Sequence, residues 1–253
     1  MKIAILGYGK MGKIIESIAL GRQHEIVLKI DRDNAHELTT DHLQMADVAI
    51  EFSTPQTALT NIKACHAAGI PVVVGTTGWY EHLPEVQQWY TDNRTALMYG
   101  TNYSVGVNIF FYVNKLLAKL MNNYPYYDVQ VEEIHHTQKL DSPSGTAITI
   151  AEGILQGITV KKGWVNVLNT GTPDDEPAPV PIDQLLIESY RIENIPGTHT
   201  VVYGSDVDSL EFKHTAHNRN GFALGAVLAA EWILNKKGCF PVIDMFDFSA
   251  LKA

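Results

Sequence analysis

The chain has 253 residues, 45% of them hydrophobic and 19% charged, which is enough apolar material for one large or two modest packed domains and too much for a disordered chain. A formal charge of −9 excludes a general attraction to nucleic acid or to an anionic membrane, so an anionic ligand needs a local cluster of donors. The two cysteines, Cys65 and Cys239, stand far apart and read as buried thiols of a reducing compartment; with no secretory pattern and no apolar run of bilayer length, a cytoplasmic protein is expected.

From the amino end, residues 2–6 form a short, nearly all-apolar run, the pattern of a strand buried on both faces. Gly7-Tyr8-Gly9-Lys10-Met11-Gly12 follows and leads into a helical pattern over residues 11–20. The spacing G-x-G-x-x-G is weak alone, but between a strand and a helix it has a mechanism. Gly7 permits the tight turn, Gly9 lets backbone approach a pyrophosphate, and Gly12 lets the helix pack close to the strand. The helix start then offers unpaired N–H groups to phosphates. Residues 25–30 read as a second strand, and Asp31 at its end stands where an acid meets the adenosine ribose hydroxyls. Asp31 favours NADH, whereas Arg32 beside it can hold a 2′-phosphate and admit NADPH.

Residues 48–52 are a third strand with a helix over 56–68 behind it, 71–74 a fourth ended by Gly75, and 96–98 a fifth. Strands alternating with helices imply right-handed crossovers and a parallel sheet. At the strand ends, Phe52-Ser53-Thr54-Pro55 and Gly75-Thr76-Thr77-Gly78 combine close backbone approach with hydroxyl donors where ligands of such sheets bind. Each segment alone also fits an ordinary strand-to-helix turn.

The pattern changes near Ser104. A long helix over 107–121 precedes strands over 129–134, 164–168, 185–192, 198–203 and 210–215, whose alternation suits a sheet with one covered face. A helix over 145–156 interrupts them, residues 170–181 read as a loop, and a last helix over 221–235 is followed by an apolar tail. The expected fold is α/β. A Rossmann-type parallel-sheet domain spans 1–103 and 217–253, and a smaller α+β domain with a mixed sheet spans 104–216.

The densest polar stretch is Glu133-Ile134-His135-His136-Thr137-Gln138-Lys139-Leu140-Asp141-Ser142-Pro143-Ser144-Gly145-Thr146-Ala147. It begins in a strand and ends at a helix start, with Ser144 as N-cap and Gly145 and Thr146 in the first turn. N–H groups and the Thr146 hydroxyl there make a pocket for a carboxylate or phosphate, and Lys139 adds positive charge. Adjacent imidazoles can ligate a metal, but no H-x-x-x-H spacing or cysteine set accompanies them, and no metal is expected. A nucleophilic serine is opposed by the context Pro-Ser-Gly-Thr, which is not a nucleophile elbow. Any one of these residues fits a solvated, capped helix start; their combination points to ligand binding and proton transfer. A strand running straight through His135 and His136 would aim the rings at opposite faces, so the chain bends there or only one ring faces a substrate.

The run His135-His136-x-x-Lys139-x-Asp141-x-Pro143-Ser144-Gly145-Thr146-Ala147 resembles the signature of the dihydrodipicolinate reductase (4-hydroxy-tetrahydrodipicolinate reductase) family. The glycine loop, Gly75-Thr76-Thr77-Gly78, Asn102-Tyr103-Ser104-Val105-Gly106-Val107-Asn108, Gly197-Thr198-His199-Thr200 and the stretch from His214 to Arg219 match in the same order, so the resemblance spans nearly the whole chain. It implies an NADH- or NADPH-dependent reduction of a cyclic imine dicarboxylate in lysine and diaminopimelate biosynthesis, carried out by a homotetramer with no nucleic-acid or membrane partner. It implies His135 and Lys139 as the catalytic residues, one or the other being the proton donor, and His136, Ser144, Gly145 and Thr146, with Lys139, as the site of the substrate carboxylates. The cofactor contacts it implies are Gly7, Gly9, Lys10, Met11, Gly12, Asp31, Phe52, Gly75, Thr77, Gly100, Thr101, Asn102 and Tyr103. Thr54 stands where some members carry an arginine, which weakens an NADPH preference, and the segment around 161–181 is short. Two rival readings remain. One is another NAD(P)-dependent amino-acid dehydrogenase of similar layout; the other is a non-catalytic dinucleotide sensor, which needs the glycine loop but not Lys139.

Overall fold

The computed structural model describes residues 1–92, 94–169 and 179–248, so most of the loop expected over 170–181 lies outside the described residues. In chain order the elements are β1 (Lys2–Leu6), α1 (Lys10–Gly21), β2 (Glu25–Ile30), α2 (Thr40–Leu43), β3 (Val48–Glu51), α3 (Pro55–Ala68), β4 (Val72–Val74), α4 (Leu83–Trp89) and β5 (Ala96–Tyr99). There follow α5 (Val105–Met121), β6 (Asp128–His135), α6 (Gly145–Leu155), β7 (Gly163–Asn169), β8 (Gln184–Arg191), β9 (Gly197–Gly204) and β10 (Ser209–Ala216), then α7 (Asn220–Ile233) and β11 (Gly238–Pro241). They fall into two compact units: Met1–Val105 with Arg219–Ala253, and Gly106–Asn218.

In the first unit six strands run in the order β11-β5-β4-β3-β1-β2, and every neighbouring pair is parallel. Alternate residues of the strands feed two cores. Ala4, Leu6, Ala49, Val72 and Val74 pack with Ala58, Ile62 and Cys65 of α3. Ile3, Ile5, Val48, Ile50 and Val73 pack with Ile15 and Ala19 of α1 and with Ala223, Ala226 and Ala230 of α7. Burial on both faces explains why these strands read as unbroken apolar runs. The chain leaves β1 toward β2 on one side and β3 on the other, and the crevice at such a reversal is where open parallel sheets take ligands.

The apolar tail after α7 is not a mere tail. It forms β11, which pairs parallel to β5 at the sheet edge, from Gly238 opposite Ala96 to Pro241 opposite Tyr99. A four-residue strand holding a glycine and a proline has no periodicity to read, and an edge position tolerates the proline.

In the second unit five strands run β10-β9-β6-β8-β7, with β6–β8 and β7–β8 parallel and β6–β9 and β9–β10 antiparallel, so the sheet is mixed. Phe110, Phe111 and Ala118 of α5 and Ile150, Ala151 and Ile154 of α6 cover one face, meeting Val129, Val131, Leu185, Ile187, Val201 and Tyr203. The opposite face carries half-buried residues such as Leu186 and Val202. Asn114 on α5 donates to the Ile150 carbonyl at 3.0 Å and ties the two helices together. Among the described residues, no helix is long and apolar enough to cross a membrane.

Candidate active site

In the first unit the glycine loop does what its spacing asks. Gly7 adopts φ +99°, and a Cβ on it would meet the Phe52 carbonyl oxygen at 2.1 Å; a Cβ on Gly12 would meet the Gly7 carbonyl oxygen at 2.4 Å. These two glycines let loop, helix and strand close on one another. Gly9 differs: nothing lies within 4 Å of where its Cβ would be, and no side chain caps α1, whose N-cap it is. Open space before an uncapped helix start suits an anion. Lys10 and Arg32 are exposed, and Met11 is half-buried. Asp31 is exposed at the end of β2, where its carboxylate accepts from the Arg32 N–H at 2.9 Å and caps a 3₁₀ turn over Arg32–Glu37.

Beside this loop lies a cavity of about 250 Å³ lined by Met11, Phe52, Ser53, Pro55, Gly75, Thr76 and Thr77. The Phe52 ring lies across Gly75, where a Cβ would sit 2.1 Å from its Cζ, so only glycine fits beneath it. Tyr103 stands behind Phe52 at 5.9 Å between centroids, buried, with its hydroxyl donating to the Val74 carbonyl at 2.9 Å. A Cβ on Gly100 would meet Val242 at 2.5 Å. Gly100 and Tyr103 therefore support the wall, whereas Thr101 is exposed at the end of β5 and Asn102 accepts from the Ser104 N–H at 2.9 Å.

Behind the wall, Glu51 is fully buried. It accepts from the Ser53 N–H and from Asn61 Nδ2, each at 3.2 Å, and the Ser53 N–H is also 2.8 Å from Thr76 Oγ1. Burial pushes the Glu51 carboxyl up, against the bonds from Ser53, Thr76 and Asn61 that pull it down.

In the second unit β6 ends at His135, and strand alternation puts Val129, Val131, Glu133 and His135 on the helix-covered face. His136 lies past the strand end, half-buried, and its carbonyl accepts from the Lys139 N–H at 3.0 Å. The strand thus stops between the two histidines, with His135 buried and His136 half-buried. Ser144 caps α6: its hydroxyl accepts from the Ala147 N–H at 3.1 Å. Its own N–H points to Glu133, at 3.1 and 3.2 Å from the two carboxylate oxygens. Gly145 is exposed, and nothing lies within 4 Å of where its Cβ would be; Thr146 follows, half-buried.

Glu133 is the centre of this arrangement. Besides Ser144 it meets Ser189 Oγ at 2.8 Å, Arg191 Nη2 at 3.3 Å, His135 Nδ1 at 3.2 Å and His199 Nε2 at 3.7 Å. Burial works to raise its pKa, but the contacts from His135, Ser144 and Ser189 outweigh that and hold the carboxyl well below the ordinary carboxylate range. His199 sits 3.2 Å from Ser144 Oγ, its ring 5.0 Å from that of His135. Burial pushes the His199 imidazole well below 6.5 and leaves it neutral. Lys139 Nζ lies 2.8 and 2.9 Å from the Asp141 oxygens, and Arg191 donates to the Asp141 carbonyl at 2.6 Å, which ties the Lys139 loop to β8. Ligand atoms of Glu133, His135 and His199 lie within 4.8 Å of one another, but the carboxylate is already neutralised by Arg191, a poor neighbour for a metal cation.

Two family models divide the chain between them. The one described as dihydrodipicolinate reductase, N-terminus, matches residues 1–103, and the one described as dihydrodipicolinate reductase, C-terminus, matches residues 106–248. The chain belongs to the dihydrodipicolinate reductase family. A 4-hydroxy-tetrahydrodipicolinate reductase of Christiangramia forsetii is 46% identical over 248 residues, 98% of each chain. One of Thermosipho africanus is 32% identical over 242 residues, 95% of this chain and 94% of its own. Among solved structures, a dipicolinate-bound dihydrodipicolinate reductase from Paenisporosarcina sp. TG-14 has the same fold, with a TM-score of 0.76 at 21% identity over 97% of this chain and 99% of that one.

Glu133, Thr76 and His199 stand in the sequence only inside longer motifs, and Glu51, Ser189 and Arg191 stand in none; the fold brings Glu133, Ser189, Arg191 and His199 together in one unit and Glu51 and Thr76 to Ser53 in the other. One signal was present: Glu133 and His135 are two apart on a strand whose alternate residues are apolar, so both share the buried face. A carboxylate on a core face needs partners, and a search for them leads to the facing strands.

Proposed function

We propose that this chain reduces 4-hydroxy-tetrahydrodipicolinate (dihydrodipicolinate) to tetrahydrodipicolinate, with hydride from NADH or NADPH, in the diaminopimelate route to lysine. The observation that carries the reading is family membership over both halves of the chain, with a relative of that activity 46% identical over 98% of each sequence. The residues present fit a dinucleotide: the open front of Gly9, the uncapped start of α1 and the acid at Asp31 suit pyrophosphate and ribose. The bound nicotinamide supplies the hydride.

The remaining work falls to side chains. Residues 1–103 with 217–253 bind the dinucleotide through Gly7, Gly9, Lys10, Met11, Gly12, Asp31, Arg32, Phe52, Gly75, Thr77 and the 100–103 segment. Residues 104–216 take the cyclic dicarboxylate and mediate association. The start of α6, with Gly145 and Thr146, holds a substrate carboxylate with His136 and Lys139, and this orients the acceptor carbon. Hydride addition to a carbon conjugated with an imine builds negative charge on the far atoms, and His135 or Lys139 donates the proton that relieves it. Ser144 acts here mainly as cap, because both its hydroxyl and its N–H are committed.

The protein is cytoplasmic and a homotetramer in this reading, with the half-buried sheet face around Leu186 and Val202 as the surface between copies. The test is nucleotide oxidation, followed by nicotinamide absorbance, with the diacid made in situ from pyruvate and aspartate semialdehyde by a synthase. Oxidation that depends on the synthase product supports the reading and ranks the cofactors. Nucleotide binding without oxidation would leave the cofactor fold standing and remove the substrate. Turnover of a free amino acid with none of the diacid would favour the dehydrogenase alternative.

A further inference from the structure

We propose that Glu133 is a positioning residue for this reduction: one buried carboxylate holds both the ring of His135 and the start of α6. The proposal rests on the function read above, in which His135 is a proton donor and the α6 start a carboxylate site. It begins from a cost. A carboxylate with no exposure, on a core face that it shares with Val129, Val131 and His135, is expensive to desolvate and survives there only if it is paired and hydrogen-bonded. Its partners come from three other places in the fold. Ser144 at the α6 start gives its N–H, Ser189 and Arg191 of β8 give a hydroxyl and a guanidinium, and His199 of β9 lies at 3.7 Å. His135, from its own strand, adds Nδ1 at 3.2 Å, on a line bent away from ideal hydrogen-bond geometry.

Two consequences follow for the ring. Nδ1 of His135 is buried against the carboxylate, so a ligand meets the imidazole from its other edge. A carboxylate 3.2 Å from Nδ1 favours a proton on that nitrogen, which leaves Nε2 to exchange protons with a ligand. Gly197 brackets that edge: a Cβ at residue 197 would stand 3.0 Å from Nε2. The helix start is set by the same group. Because the Ser144 N–H is turned to Glu133, the next residue, Gly145, is presented with open space before it. Donor ring and anion site thus share one anchor, and neither can shift without the other. A core glutamate serving stability alone would have no reason to touch both.

The test is a double-mutant cycle on the full chain, with the diacid generated in situ: Glu133→Gln, His135→Ala and the pair. Glu133→Gln is expected to lower kcat by about 10–100-fold with nucleotide affinity unchanged. The pair is expected to show the kcat of His135→Ala alone, because the part of the Glu133 effect that runs through His135 has nothing further to lose, while the loosened α6 start raises the KM for the diacid in both Glu133→Gln proteins. Unchanged kcat in Glu133→Gln, or kcat losses that multiply in the pair, would overturn the proposal. If Glu133→Gln does not fold, ¹⁵N spectra of histidine-labelled wild-type protein decide it, with His135 assigned by its absence from His135→Ala. A protonated Nδ1 supports the pairing, and an unprotonated Nδ1 overturns it. A wild-type chain that binds nucleotide yet does not oxidise it with the diacid would remove the functional reading instead; the nitrogen spectrum judges the anchor independently of that result.

Discussion

Lys139 and Asp31 show how a residue read from a motif acquires a second partner in three dimensions. Lys139 is the cation of the polar run, and Asp141 two residues on holds it in place. Lys139→Ala is expected to lower turnover by at least ~10² while leaving the dissociation constant of NADH nearly unchanged, measured by steady-state rates and by titration. Unchanged turnover would take Lys139 out of the mechanism. The place of Asp31 at a strand end suggests a ribose acid, but its capping of the following 3₁₀ turn depends on the local backbone and was not legible. Asp31→Ala should therefore weaken NADH more than NADPH and also cost about 1 kcal/mol from the lost cap. Binding titrations with both nucleotides, beside a urea melt, separate the two effects. Equal losses for the two nucleotides would mean that Asp31 does not read the ribose. Glu133 was opaque at this scale, because its meaning lies in partners up to 66 positions away on other strands, such as His199.

At the level of elements, the strands and long helices were legible because each carries its own period. The helix returning at α7 was legible as a helix, but its packing was not. Gly225 faces the Tyr103 carbonyl so closely that a Cβ would fall 1.7 Å from the oxygen, a backbone atom with little freedom to yield. Gly225→Ala is expected to lower stability by about 1–3 kcal/mol in a urea melt, through overpacking. Gly221→Ala, one turn earlier and 3.7 Å from Ser104 Oγ at its nearest contact, should be neutral or slightly stabilising, because alanine is the better helix former. A destabilised Gly221→Ala, or an indifferent Gly225→Ala, would contradict this packing. β11 escaped the sequence for the converse reason: its existence depends on the open edge of β5, not on its own four residues.

For the molecule as a whole, the buried Glu133 and His199 set a pH dependence. The folded carboxyl of Glu133 stays ionised below its unfolded value of 4.5, and the folded imidazole of His199 stays neutral below its unfolded value of 6.5. Each group binds fewer protons folded than unfolded as pH falls, so each loses stability toward acid. Stability should hold above 6.5, decline as His199 protonates in the unfolded chain, and decline more steeply below 4.5 as Glu133 joins it. Urea midpoints across this range, for wild type and His199→Gln, test the order: the first decline should be much reduced in the variant. Sedimentation should give about four times the 28.0 kDa chain mass, and Leu186→Lys on the half-buried sheet face should reduce it. A monomer in the wild type would remove the tetramer and the role given to that face.

By itself the sequence determined the α/β alternation, the glycine loop in its context, the capped start of α6 and the family, because each is written in short-range spacing that survives without knowledge of the fold. The tertiary structure decided which side chains share a space. It ended β6 between two adjacent histidines, turned the Ser144 N–H onto a core glutamate, and brought Ser189, Arg191 and His199 to the same carboxylate. Strand order and register set those meetings, and both are fixed by the packing of all five strands against α5 and α6, a long-range outcome that no local pattern encodes.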